Sequence, residues 1–394
     1  MRKVTVYSLL LLLGLILSQW LPLNFGDSYT SLNPVIVYLT MAALSYIMIE
    51  VGYEFDIDKN RLGQYKWDYV VAMTAATFPW LFVVLYFVFV LAPAESWGSF
   101  DTWKEMLLLG RFAAPTSAGV LFTMLAAAGL GATWLFKKAR VLAIFDDLDT
   151  VLLMIPLSIM MAGLTWQMMV MIALIIVMLT VGYQKMRALA IPSSWKWMLF
   201  YAFIIATASK SILLISTAID PSTPIHIEVL LPAFLLGCMI KTSAHGHSAD
   251  QAKANTVISA VFMILVGLNM PLMNFDLVSS GDASQDWNMI LTHVFFVTVI
   301  SNIGKMFPLL CYRKEASVRE RLALSIGMFP RGEVGAGVLI ISLGYGVGGV
   351  ALTIAMLSLT LNLLLTGVFI MAVKRLLNTQ DQEVVELSRN PEPA

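Results

Sequence analysis

Runs of about twenty apolar residues follow one another along this chain, and a run of that length is what a helix needs to cross a bilayer. Twelve can be delimited, at roughly 4–21, 34–53, 69–91, 105–129, 140–162, 167–183, 197–218, 227–241, 255–273, 288–311, 322–345 and 349–373. Composition agrees: 59% of the residues are hydrophobic and only 13% charged, against about 25% charged in soluble domains. A soluble fold this apolar would have too little polar surface to show to water. The expected fold class is therefore an all-α integral membrane protein with about 12 transmembrane helices. The first run, preceded by Arg2 and Lys3, could also be read as a signal peptide. It lacks a small-residue cleavage site and is long for one, so it is read as the first helix.

Basic residues concentrate where cytoplasmic loops are expected if the N-terminus is cytoplasmic. They fall at Lys59, Arg61 and Lys66, at Lys137, Lys138 and Arg140, at Lys185, Arg187 and Lys196, at Lys241 and Lys253, and at Arg313, Lys314, Arg319 and Arg321. Lys374, Arg375 and Arg389 follow the last run, so both termini are placed in the cytoplasm. The opposite loops carry acids: Asp27, Glu95, Asp101, Asp220, Asp276, Asp282 and Asp286. Nine of the tryptophans, Trp20 and Trp287 among them, lie near the ends of runs, as interfacial anchors do. Residues 1–376 read as one membrane region, and 377–394 as a short polar tail expected to be disordered. The net charge of +0 gives no reason to expect a nucleic-acid partner. No phosphate-binding glycine motif is present, so no nucleotide is expected, nor any resident cofactor. Cys238 and Cys311 form neither a disulfide framework nor a metal pattern. Nothing suggests an enzyme.

The charges inside the runs carry the functional reading, because a charge at the bilayer centre costs roughly 3 kcal/mol or more and usually marks an ion path. Phe145-Asp146-Asp147-Leu148-Asp149-Thr150 lies in the fifth run. Asp146 and Asp147 point about 100° apart on a helix and sit about 10 Å from its cytoplasmic end. Burial and a neighbouring like charge both make a carboxylate hold its proton more readily. Such a group can hold a proton or a hard cation such as Na⁺, which prefers oxygen ligands. The plainer alternative is a helix cap. Asp149 shares a face with Asp146 and is either a third carboxylate or a packing partner. In the tenth run Lys305 reaches a similar depth, so Asp146 is its natural partner. Its alternative is snorkelling to the interface.

The fourth run contains Ala113-Ala114-Pro115-Thr116-Ser117-Ala118-Gly119, and the eleventh Gly327-Met328-Phe329-Pro330-Arg331-Gly332-Glu333-Val334-Gly335-Ala336-Gly337. Proline and glycine together should interrupt both helices. Broken backbone survives in a membrane where protein covers it or where it lines a cavity. Paired interruptions in two halves point to a transport site. Runs 3–5 and 10–12 fit an inverted repeat in which each broken helix is the middle member. Simple proline kinks are the alternative. Arg111 precedes the first break and could steer ions or pair with an acid. Lys210 reads as snorkelling outward, Glu50 as a solvated helix end, and His245-Gly246-His247 with Asp250 as a solvated loop.

These motifs together resemble the bacterial monovalent cation/proton antiporters of the NhaA and NapA type. The resemblance rests on Phe145-Asp146-Asp147 and on Gly327 to Val334. Glu50-Val51-Gly52-Tyr53-Glu54-Phe55-Asp56 and Val266-Gly267-Leu268-Asn269-Met270 support it. The fourth-run break departs from the family's usual T-D-P or S-S-T, reading Pro115-Thr116-Ser117. The resemblance implies that Asp147 is the main cation and proton carrier and that Asp146 is the partner of Lys305. Thr116 and Ser117 would add oxygens, and Pro115, Pro330, Arg331 and Glu333 would support the crossover. It further implies a homodimer in a bacterial cytoplasmic membrane. Its mobile core would cover about 69–162 and 288–373, with the remaining helices as a dimerising panel. The activity implied is exchange of cytoplasmic Na⁺ or Li⁺ for external H⁺. A K⁺/H⁺ antiporter and a sodium-coupled symporter of an organic anion are the alternatives.

Overall fold

A computed structural model of the 394-residue chain describes residues 2–54, 62–162, 166–219, 229–241, 249–270 and 287–389. Among the described residues the fold is helical, and the only β pairing is an isolated bridge between Leu189 and Ile240. The helices are α1 (Arg2–Glu54), α2 (Leu62–Tyr86), α3 (Phe100–Gly110), α4 (Ala118–Ala127), α5 (Trp134–Ala162), α6 (Trp166–Gln184) and α7 (Trp195–Ile219). They continue with α8 (Leu230–Met239), α9 (Ala249–Leu268), α10 (Trp287–Gly304), α11 (Val318–Gly327), α12 (Glu333–Gly344) and α13 (Gly349–Arg389). Eight helical segments are long and apolar enough, by length and composition, to cross a membrane.

These elements account for the twelve runs. The first two share α1, which turns at Gly26, whose φ of 42° is left-handed. Only glycine takes that conformation without a Cβ penalty. In the first run Val4, Tyr7, Leu11 and Leu15 are buried, a stripe at helical spacing that builds this run into the fold. The third run starts earlier than expected, at Leu62, and ends in a π-helical turn, Phe87–Leu91. The fourth and eleventh runs are each two helices, α3 with α4 and α11 with α12. The tail expected to be disordered continues α13 as helix to Arg389.

The chain divides into two compact units. One comprises Met1–Leu9, Gly63–Asp146 and Met273–Ala394, the other Leu10–Leu62 and Asp147–Leu272. In the first unit α13 packs along α10 and α11, and α12 packs on α3. Gly304 of α10 lies against the backbone of Pro79 in α2. In the second unit α8 packs with α6 and α7, and α7 with α9.

Two glycine crossings set the spacing in this second unit. Gly14 of α1 meets Gly267 of α9, and Gly52 of α1 meets Gly237 of α8. A methyl at Gly237 would run into Ile49 O and come within 2.8 Å of Tyr53 N. Small residues allow such backbone approach, which matters between helices already in an apolar solvent. Gly237→Ala is therefore expected to lower stability by about 1–3 kcal/mol, read as a lower melting temperature in detergent. An unchanged melt would mean that these backbones are not held this closely.

A further sequence expectation is corrected here. Glu50 is not a solvated helix end but is 7% exposed. Gln251 Nε2 donates to its Oε1 at 2.8 Å and Asn255 Nδ2 to its Oε2 at 3.1 Å. A buried carboxylate needs such donors, and α9 supplies them.

Candidate ion-binding site

The first unit brings the two broken helices together at their breaks. After α3 one 3₁₀ turn, Arg111–Ala113, is followed by irregular backbone to Ser117, and α4 then begins. After α11 the chain is irregular from Met328 to Gly332 before α12. Proline contributes no N–H and disfavours helix at the residue before it, which explains why both breaks centre on Pro115 and Pro330. The freed backbone groups find partners across the crossing. Ser117 N donates to Pro330 O at 2.9 Å, and Thr116 Oγ1 to Met328 O at 3.1 Å.

Arg331, fully buried, ties the crossing to α10. Its Nε donates to Ala113 O at 2.9 Å. Its two terminal nitrogens donate to Asn302 Oδ1 at 2.8 Å and to Ser301 O at 3.0 Å. Ala113 O ends the first half-helix, so a cation sits where carbonyl dipoles accumulate.

Asp146, on α5, faces this crossing. Lys305 Nζ lies 2.8 Å from Asp146 Oδ2, and both side chains are completely buried. Thr116 N donates to the same oxygen at 2.8 Å. Lys305 also donates to Thr116 Oγ1 at 3.0 Å. A carboxylate, an ammonium, a hydroxyl and a backbone amide thus form one connected set drawn from α5, the turn that ends α10 and the break before α4. A buried charge pair holds only when geometry and further hydrogen bonds are good, and here they are.

Removing either partner strands the other charge. Asp146→Asn and Lys305→Met are each expected to destabilise by about 3–5 kcal/mol. The double variant should lose less than the sum, because the partners share one interaction. Melting curves of the four proteins in one detergent test this, and additive losses would contradict it.

The other sequence candidates are placed as follows. Asp147 is the next residue of α5 and is 8% exposed; Asp149, on the same helix, is buried too. Arg111 is fully buried with its guanidinium 5.0 Å from the Trp80 ring centre, rather than in a position to steer ions from solvent. Lys210 is half-buried in α7. The side chain of Glu333, and His245 and His247, lie outside the described residues. Among the described residues no group of three or more His, Cys, Asp or Glu side chains is arranged to hold a metal ion.

Sequence reasoning missed a second charged cluster in this unit. Asp68, 2% exposed at the start of α2, accepts from Lys138 Nζ at 2.8 Å and from Tyr312 Oη at 2.7 Å. Lys138 also pairs with Glu315 at 3.1 Å and lies 4.5 Å from the Tyr312 ring centre. Burial first, and then the Asp68 carboxylate, push the Tyr312 phenol well above its ordinary range, so it stays a donor. Both Asp68 and Lys138 fall at the edges of apolar runs, where a solvated reading is the default.

Comparison with known proteins bears on what such a unit belongs to. The profile of the family described as "Sodium/hydrogen exchanger, transmembrane" matches residues 1–376. The structure is similar to that of the sodium proton antiporter MjNhaP1 from Methanocaldococcus jannaschii at pH 8. That likeness has a TM-score of 0.58 at 14% identity and covers 94% of this chain and 92% of that one. At this identity it speaks for the fold. No curated protein matches the sequence. With the profile covering nearly the whole chain, the protein belongs to the sodium/hydrogen exchanger family of transmembrane cation/proton antiporters.

Proposed function

We propose that this protein exchanges cytoplasmic Na⁺ or Li⁺ for external H⁺ by alternating access, with Asp147 as the carrier of both. The observation that carries the reading is the occupancy of Asp146. One of its oxygens already receives Lys305 and Thr116 N, which suits it to a fixed ion pair rather than to a travelling load. Asp147 is the adjacent acid on the same helix and is buried. A carboxylate there binds either a proton or a hard cation, and this competition couples the two fluxes without covalent chemistry.

Alternating access offers such a site to each side of the membrane in turn. The distribution of Lys and Arg supports cytoplasmic termini. The bacterial cytoplasmic membrane and a homodimer complete the proposal and follow from the resemblance. The transported Na⁺, Li⁺ and H⁺ are substrates, and no resident cofactor is invoked.

Purified protein in liposomes containing a pH-sensitive dye tests the reading. An outward Na⁺ or Li⁺ gradient should drive proton movement, whereas K⁺ should do so weakly. Equal or greater response to K⁺ would replace the reading by K⁺/H⁺ exchange. Sodium flux without any proton movement, stimulated by an organic anion, would replace it by symport.

A further inference from the structure

The charged cluster around Asp68 is built from the same two stretches of chain that carry the buried pair of the ion-binding site. Lys138 lies on α5, eight residues before Asp146. That is about 12 Å along the helix and about 80° around it, so the two side chains leave the same side of α5. The residues between them form unbroken helix without proline or glycine. Tyr312 lies seven residues after Lys305. Between these two the chain is a run of tight turns, with Met306 N donating to Ile303 O at 2.9 Å, Leu309 N to Met306 O at 3.0 Å and Cys311 N to Pro308 O at 3.1 Å. The Asp146–Lys305 pair at one end, and Lys138 with Tyr312 and Glu315 at the other, therefore close a ring of bonded structure.

The backbone of Tyr312 marks how firmly the second end of this ring is held. Its φ of 55° is left-handed, a conformation that bulky side chains rarely adopt. Such backbone persists where its surroundings hold it in place. Here the hydroxyl donates to Asp68 at 2.7 Å and the ring lies under Lys138 Nζ. Trp134, at the start of α5, meets that ring edge-on with centres 5.9 Å apart. Arg321 of α11 holds the turns themselves, its Nη1 donating to Leu309 O at 2.7 Å. Tyr69, next to Asp68 on α2, packs edge-on with Phe145, next to Asp146, at 5.4 Å between centres. The helix that supplies Asp68 thus also touches α5 beside the buried pair.

We propose that Lys138 is a positioning residue for the Asp146–Lys305 pair. Held by Asp68, Glu315 and the Tyr312 ring, it fixes the height of α5 against the turns that follow α10, and this keeps Asp146 level with Lys305. A slip of one residue along α5 would move Asp146 by about 1.5 Å and turn it by about 100°. That is enough to lose a 2.8 Å contact. A buried ion pair is favourable only when its geometry is good, so a tie that sets the helix beforehand acts directly on the pair. What this register does for transport rests on the exchange reading; the register itself does not.

Thermal melting of the full-length protein in one detergent tests this by a cycle across the two clusters. Separate sites that act independently lose stability additively. Lys138→Met keeps an unbranched side chain and removes its charge. Lys305→Met should then lower the melting temperature less in the Lys138→Met background than in the wild type, because the pair it removes is already out of register. Asp68→Asn keeps the size of the side chain and its ability to accept from Tyr312. It loosens the same tie and serves in the same cycle, with the same expectation, should Lys138→Met fail to fold. An equal or larger drop on Lys305→Met, in whichever background folds, would overturn the assignment of Lys138. Melting requires no sodium. A coupled cycle in a protein that shows no sodium-driven proton flux would uphold the positioning role and remove the exchange reading.

Discussion

The variant Asp147→Asn is expected to insert and fold like the parent and to show no sodium-dependent proton flux. Asparagine matches aspartate in size, so the buried position on α5 is filled as before. Its amide neither gains nor loses a proton at any working pH, and it offers a cation no negative charge. Exchange needs one group that does both, so the loss should reach the protein-free background rather than a fraction of wild type. Dye-loaded proteoliposomes measure it, with circular dichroism and size-exclusion profiles as the folding control. Asp147→Glu keeps the carboxylate one methylene further out and should retain part of the flux. Wild-type dye response in Asp147→Asn would assign the carrier elsewhere.

The second large effect is on the pH dependence of cation affinity. If proton and cation compete for one carboxylate, the cation binds only the ionised form. Below the pKa of that carboxylate, each unit of acidification should raise the apparent KM for Na⁺ about tenfold. Above it the KM should level off, while maximal flux changes little across the range. Flux at several pH values, with KM and maximal rate fitted separately, distinguishes this from regulation. A flat KM with a maximal rate that falls in acid would place the controlling proton at a separate group. The single-site mechanism would then fail.

The parts of this site that could be read from sequence are those that violate the rules of a membrane helix. Pro115 and Pro330 announce breaks because proline cannot continue the hydrogen-bond ladder. Lys305 announces a partner because an ammonium in hydrocarbon needs one, and the depth of Asp146 in the fifth run matched. Glu50 gave no such warning, since it stands near the end of an apolar run where water is the ordinary neighbour. Its partners are neutral amides 201 and 205 residues away, and neutral side chains carry no charge signal. Asp68 and Lys138 escaped for the same reason of position. The continuation of α13 to Arg389 was misread from polarity alone, which disfavours a packed core but does not forbid a helix.

The crossing of the two breaks also constrains how the chain can be made. The fourth apolar run leaves the ribosome with the backbone around Pro115 unable to complete a helix. Its partners, Met328, Pro330 and Arg331, all belong to the eleventh run, with Met328 and Arg331 lying 212 and 218 residues beyond the groups they bond. Until those residues are synthesised, the amide of Ser117 and the carbonyl of Ala113 lack the bonds they make in the finished protein. Each such group costs several kcal/mol in hydrocarbon. The nascent fourth segment is therefore expected to wait outside the lipid core, in the insertion machinery or at the hydrated interface, until the eleventh arrives. Arrest of translation between the two breaks should leave a chain whose fourth segment is open to water-soluble labelling reagents, and release of the full chain should close it.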